Sequence, residues 1–185
     1  MRKFYFIIAC IFGGALTAET IGNVEFEFPP STSDWVLLTD SNAYCPVEEN
    51  SGDTIQIKIY THKVGDALEF FTVANILEQE EEEETEEEKF QTAEYAQRFV
   101  NDLLAAYFPN HRIAFTAFTE DENDGFLEWE LNDGMQQIFY GLCRSLKVKE
   151  GAIVLSYMTT ASKTLENSAV WREALYQAKP QQASN

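Results

Sequence analysis

The residues best suited to nucleophilic or acid–base chemistry in this 185-residue chain are two histidines and three cysteines. Nucleophilic catalysis needs a nucleophile, a general base and a group that orients the base. His62 and His111 each lie among polar residues at the end of a predicted strand, and the chain has no Gly-x-Ser-x-Gly sequence. We therefore interpret both as ordinary surface or edge histidines and expect no enzymatic activity. An exported hydrolase with an unrecognised site is the least favoured alternative.

Calcium chemistry is suggested by the acidic stretch Glu120 to Gly125, which reads EDENDG. An EF-hand loop that began at Asp121 would need Gly at its sixth position and Glu at its twelfth. In this chain Gly is fifth and Asn132 is twelfth, so the motif fails and a solvated hairpin turn is predicted. We predict no metal and no cofactor, and keep an acidic calcium- or metal-responsive binding protein as the alternative function.

The most acidic stretch covers residues 78–89, with nine glutamates among residues 78–88. Like charges four residues apart oppose a helix by about 0.2–0.5 kcal/mol per pair, so this run predicts a solvated loop inserted into the domain. Long blocks of one charge also serve as interaction segments. The residues that would contact a basic partner or a cation are Glu80, Glu81, Glu82, Glu83, Glu84, Glu86, Glu87 and Glu88.

The N-terminus has the layout of a secretory signal peptide. Arg2 and Lys3 precede an apolar run that ends near Ala15, and Ala18 offers a small residue for cleavage. The run is shorter than the roughly 20 apolar residues of a membrane-spanning helix. We therefore predict a signal peptide at 1–18, export to the periplasm or the medium, and no stable membrane insertion afterwards. Lipid anchoring through Cys10 is a weaker alternative.

Charge narrows the classes of partner. The chain carries a formal net charge of −18, and removal of residues 1–18, whose only charged side chains are Arg2 and Lys3, makes it −20. Such a charge repels nucleic acid and attracts a basic protein or peptide. Cys45 and Cys143 are the cysteines left after cleavage, and an even number in an exported chain is typical of one disulfide. Two separate buried thiols are the other interpretation.

Hydrophobic patterning predicts one domain, residues 19–180, followed by a polar tail at 181–185. Strands are predicted near residues 24–28 and 55–60, and residues 65–77 fit a strand or a short helix equally well. Thr92 opens an amphipathic helix, four strands follow between residues 112 and 160, and a second helix spans about 168–179. The predicted fold class is α+β: an antiparallel meander sheet with two main amphipathic helices packed across one of its faces.

This order of elements resembles the Mog1/PsbP-like superfamily, which includes DcrB-like bacterial periplasmic proteins. The resemblance covers most of residues 24–178. The matching pieces are Phe26-Glu27-Phe28-Pro29 followed by Trp35, the helix that opens at Thr92, and a strand at residues 152–157 that leads into a helix with Trp171 and Leu175. The resemblance implies a non-catalytic accessory or binding domain and assigns no site residue.

Overall fold

The structure is a computed structural model that describes residues 19–21, 24–29, 34–44, 54–77, 92–105, 108, 111–121, 123–133, 136–148, 151–161 and 165–180. Several predictions therefore concern residues outside these ranges. They are the signal peptide, the lipid anchor at Cys10, Cys45, the glutamate loop at 78–89 and the tail at 181–185.

Seven strands form one antiparallel sheet. They are β3 (Val36–Tyr44), β4 (Thr54–Val64), β5 (Ala67–Leu77), β6 (Arg112–Glu120), β7 (Asp124–Asp133), β8 (Gln136–Val148) and β9 (Gly151–Thr159). Their order across the sheet is β3-β4-β5-β9-β8-β7-β6. A second sheet has the order β1-β2-β10, from β1 (Glu19–Ile21), β2 (Val24–Phe26) and β10 (Lys179–Pro180). The helices are α1 (Thr92–Ala105) and α2 (Leu165–Gln177).

The segment at residues 65–77, which the sequence left open between a strand and a short helix, is a tight turn followed by the strand β5. Gly65 has a φ of 60°, which glycine adopts without steric cost, and the chain reverses there into β5. The strand is buried on both faces from Phe71 to Ile76. Its apolar residues therefore do not alternate with polar ones, and the sequence pattern could not distinguish it from a helix.

The predicted α+β class is wrong, because the fold is dominated by its sheets. Among the described residues, strands make up 66% and the two short helices 20%. The strand content exceeds the expectation since β5 is a full strand and β3 extends from Val36 to Tyr44, a stretch for which no strand was predicted. The helices also lie on opposite faces of the large sheet instead of sharing one face.

The central strand β9 shows why both faces need a cover. All its residues except Met158 are buried, and alternate side chains point to opposite faces. Val154 belongs to the core under α1, together with Ala96 and Val100 of that helix. Leu155 belongs to the core on the other face, which α2 and the small sheet cover through residues such as Trp171.

Candidate functional site

The outer edge of β3 carries the most unusual surface in the described part of the chain. Val36, Leu37 and Leu38 follow one another and are 38%, 45% and 43% exposed. β3 forms one end of the seven-stranded sheet and pairs on its inner side with β4. An edge strand presents unpaired backbone N–H and C=O groups, which makes it a template for pairing with another chain.

The conformation of this edge is fixed from the core. Trp35, directly before β3, is 3% exposed and lies between the rings of Phe28, 5.3 Å away, and Trp171, 5.5 Å away. A bulge places Leu37 and Leu38 together opposite Tyr60, which is fully buried in the same core. Because Trp35, directly before the apolar triplet, and Tyr60, opposite it on β4, are both buried, the backbone that carries the exposed side chains is ordered.

The opposite edge of the sheet, β6, differs from β3. Ile113 and Phe115 are only half exposed and pack against the core under α1. Ala114 and Thr116, the exposed residues beside them, are small. Ile113 and Phe115 of β6 are therefore used within the domain, whereas the apolar triplet of β3 faces solvent.

A polar cluster lies inside the core near the β3 edge of the sheet. The Glu69 carboxylate is 7% exposed, and it accepts a 2.6 Å hydrogen bond from the phenol of Tyr157. Its other oxygen lies 2.9 Å from Nδ1 of His62. The ring of His62 in turn lies 5.3 Å from that of Trp35. Burial, followed by the hydrogen bond and the negative charge of Glu69, raises the pKa of Tyr157.

A second polar cluster lies further along the same face, beneath α2. The phenol of Tyr140 donates a 2.7 Å hydrogen bond to Ser168, and burial raises its pKa to about 12. Glu128, 3% exposed, pairs with Arg172 of α2. The buried carboxylates of Glu69 and Glu128 thus both have hydrogen-bond donors, as burial of a charged group requires.

Arg144 fastens the end of α2 to the sheet. Its guanidinium donates to both carboxylate oxygens of Asp124, at 2.9 and 2.7 Å. It also donates to the carbonyl oxygens of Leu175 and Ala178 at the C-terminal end of α2. The last carbonyls of a helix lack the donors that continued helix would supply, so a cation there adds hydrogen bonds and complements the helix dipole.

His62 has the orienting carboxylate of a general base but not its nucleophile. A catalytic histidine needs a hydroxyl, thiol or water held for attack. Among the described residues, no hydroxyl or thiol is hydrogen-bonded to His62, whose contacts are Glu69 and Trp35. His111 is half-buried, with its ring 5.5 Å from that of Phe108. The arrangement orients and buries side chains, and we assign it no reaction.

Sequence reasoning missed Glu69 as the partner of His62, and Tyr157 as the hydrogen-bond donor to Glu69. The signal was present, because a hairpin centred on Gly65 and Asp66 places His62 directly opposite Glu69. Tyr157 could not be found in this way, since the pairing of β5 with β9 joins segments far apart in the chain.

The acidic turn at residues 120–125 uses its described carboxylates within the protein. Asp121 accepts a 2.9 Å hydrogen bond from the backbone N–H of Asn123, and both oxygens of Asp124 are bound by Arg144. Within the described ranges no cluster of three or more potential ligands is assembled for a metal. The calcium hypothesis gains no support from this turn.

Cys143 lies at the centre of the core, fully buried, as a free thiol. Burial raises its pKa, partly offset by a hydrogen bond with Ser156. Its predicted partner, Cys45, lies outside the described residues, so the disulfide stays a prediction.

Comparisons with family models, curated proteins and solved structures found no match to this chain. The resemblance to the Mog1/PsbP-like superfamily therefore stays a prediction. Of the helices in the described ranges, none is both long and apolar enough to cross a membrane.

Proposed function

We propose that this chain is an exported, non-catalytic binding module that accepts an extended segment of a partner polypeptide on the outer edge of β3. The observation that carries the proposal is the run of exposed apolar residues, Val36, Leu37 and Leu38, on an edge strand. Strand addition of this kind derives affinity from main-chain hydrogen bonds and specificity from neighbouring side chains.

Two further features support the proposal. Natural edge strands are usually protected by charge, proline or a covering element, because exposed apolar edges promote association. The apolar triplet of β3 is instead exposed to solvent. The buried ring of Trp35, directly before it, holds the start of the strand in place. An edge that is already ordered loses little conformational entropy when a strand is added. Export rests on the sequence of residues 1–18.

The test uses the mature protein, residues 19–185, and a phage library of peptides about nine residues long, a common strand length. Selected peptides are measured by fluorescence anisotropy and by hydrogen exchange of the complex. We expect them to protect backbone amides of β3 from exchange, because an added strand pairs with the outer edge. The double substitution Leu37→Ser, Leu38→Ser should weaken binding about tenfold, since these side chains form the centre of the contact.

Val170→Ser is the matched control, because Val170 is 40% exposed but lies on α2. It should bind the peptides as the unmodified protein does. The proposal is wrong if no peptide is selected, if the selected peptides leave β3 amides unprotected, or if the leucine variant binds as tightly as the Val170 variant.

A further inference from the structure

Both edge strands of the seven-stranded sheet contain a bulge. In β3 the extra residue is Leu38, because its neighbours Leu37 and Thr39 face successive residues of β4. In β6 the extra residue is Thr116. A bulge disrupts the regular ladder of backbone hydrogen bonds and is one device by which edge strands avoid unwanted pairing. The two bulges differ in chemistry, since Thr116 is polar whereas Leu38 is apolar and 43% exposed.

The bulge divides the outer edge of β3 into two unequal parts. Thr39 to Tyr44 pair with β4 without interruption, over six residues, whereas only Val36 and Leu37 pair with it before the bulge. The extra residue shifts the spacing of the backbone N–H and C=O groups, so a regular added strand stays in register with one part only. Six residues are a common strand length. The backbone pairing of a bound segment therefore falls on Thr39 to Tyr44.

The two parts also differ in chemistry. Polar residues, Thr39 to Asn42, begin the long part, whereas the apolar triplet of β3 occupies the short part and the bulge. The apolar surface continues at this end of the sheet, where Thr61 of β4 pairs with Val36. Val64 at the end of β4 and Leu68 near the start of β5 are 50% and 41% exposed. Apolar side chains of a bound segment thus have a surface to cover at this end.

The direction of the strands fixes the order in which a bound segment meets these parts. All six pairs of neighbouring strands in the seven-stranded sheet are antiparallel, which is the more stable kind of pairing. A strand added antiparallel to β3 runs from the level of Tyr44 towards that of Val36. It meets the polar part first and the apolar triplet last.

From the bulge, the chemistry of the two parts and the direction of the strands, we infer that the bound segment itself has two parts. Six polar residues pair with Thr39 to Tyr44, and an apolar C-terminal end covers the triplet through side-chain contacts without continuing the ladder. This inference rests on the proposed function and specifies its partner. β3 itself has the reverse order, with its apolar residues first, so a second copy of β3 added antiparallel does not fit.

The experiment compares three synthetic peptides of identical composition, capped at both ends, binding to the mature protein. The first reads Thr-Ser-Thr-Thr-Ser-Thr-Val-Leu-Val, and the second has the same residues in reverse order. The third disperses them as Thr-Val-Thr-Ser-Leu-Thr-Thr-Val-Ser. The first should bind about tenfold more tightly than either of the others, because only its apolar residues reach the exposed triplet while its polar residues stay in register. The inference is wrong if the reversed or the dispersed peptide binds as tightly.

Hydrogen exchange and a deletion test the role of the bulge. The first peptide should protect amides within Thr39 to Tyr44 and add no protection from Val36 to Leu38. Deletion of Leu38 removes the bulge and leaves the other pairs between β3 and β4 in register, so protection by a bound peptide should then extend through Leu37. Leu38→Ser is the matched control, because it lacks the same side chain but keeps the bulge, and protection should still stop at Thr39. If the deletion variant fails to fold, the comparison of the three peptides decides the inference.

The same measurements separate this inference from the proposed function. If all three peptides bind equally and protect β3 amides, or if protection in the unmodified protein runs through the bulge, strand addition stands and the two-part segment is rejected. If no peptide protects β3 amides, both are rejected. Sedimentation of the protein alone tests self-pairing, and a dimer with protected β3 amides would also reject the two-part segment.

Discussion

Tyr157 donates a 2.6 Å hydrogen bond to the carboxylate of Glu69, and both side chains are buried between the large sheet and its cover of aromatic rings. The ring of Tyr157 is also stacked on Trp171 of α2, 4.0 Å away. The same phenol thus joins β9 to the buried acid of β5 and to the helix, close to the residues that hold β3.

Tyr157→Phe should lower the free energy of unfolding by about 1–3 kcal/mol, because it leaves a buried carboxylate with one donor fewer while preserving the ring. Urea unfolding measures the change. Tyr176→Phe is the control, since Tyr176 is 43% exposed. Equal stability of the two variants would show that Glu69 does not depend on the phenol.

A pH dependence follows from the burial of Tyr140, which raises its pKa from 10.0 to about 12. Between about pH 10 and 12 the unfolded chain releases a phenolic proton that the folded chain retains, so the free energy of unfolding falls as the pH rises. At about 1.36 kcal/mol per pKa unit, up to about 2.7 kcal/mol is present below pH 10 and lost by pH 12.

Urea unfolding of the protein and of Tyr140→Phe at several alkaline pH values tests this dependence. The variant should lose stability less steeply across the interval. Tyr157, whose pKa burial also raises, contributes in the same direction and remains in the variant. Parallel curves for the two proteins would contradict the assignment to Tyr140.

Gly141 is required by the ring of Trp129 on the neighbouring strand. A Cβ atom at position 141 would lie 2.2 Å from a ring carbon of Trp129, which is itself 1% exposed and packed under α1. Gly141→Ala should therefore destabilise the protein by about 1–3 kcal/mol, or more, through overpacking. Thermal unfolding measures the loss.

The substitution Trp129→Phe, which puts a smaller ring at that position, tests whether the clash with Trp129 causes the loss of stability in Gly141→Ala. If the ring causes the loss, the double variant should be less destabilised than the sum of the two single variants. Simple additivity would indicate that the alanine acts on the backbone instead.

Local pattern sufficed for the elements marked by an amphipathic stripe or by turn residues at their ends. The helix that opens at Thr92 and the meander between residues 112 and 160 were predicted close to their positions. The second half of β3 was not, because Asp40, Ser41 and Asn42 are turn-forming residues that are strand here only through pairing with β4.

The candidate site depends on strand order, which local pattern does not encode. Local pattern assigned no element to residues 35–38. That β3 is an edge strand of the described sheet follows from the order of all seven strands, which includes the pairing of β5 with β9 from distant parts of the chain. The two helices were placed on one face for the same reason, since their stripes reveal amphipathicity but not the face they cover.

Arg144 attaches α2 to the sheet through hydrogen bonds. It bonds Asp124 of β7 and the carbonyls of Leu175 and Ala178 at once, through the planar fork that only arginine has. Arg144→Lys keeps the charge but cannot make all these bonds. We expect it to cost about 2–4 kcal/mol, because it leaves a half-buried carboxylate and two helix-end carbonyls short of donors.

Two comparisons isolate the role of the Arg144 guanidinium group. Asp124→Asn retains the bonds to the helix and should cost less than Arg144→Lys, whereas Arg112→Lys, at an exposed position on β6, should cost under about 0.5 kcal/mol. Hydrogen exchange adds a local measure, since amides in the last turns of α2 should exchange faster in Arg144→Lys while those of α1 keep their protection. Unchanged exchange in α2, or equal stability of the two lysine variants, would show that the helix is held by its apolar contacts alone.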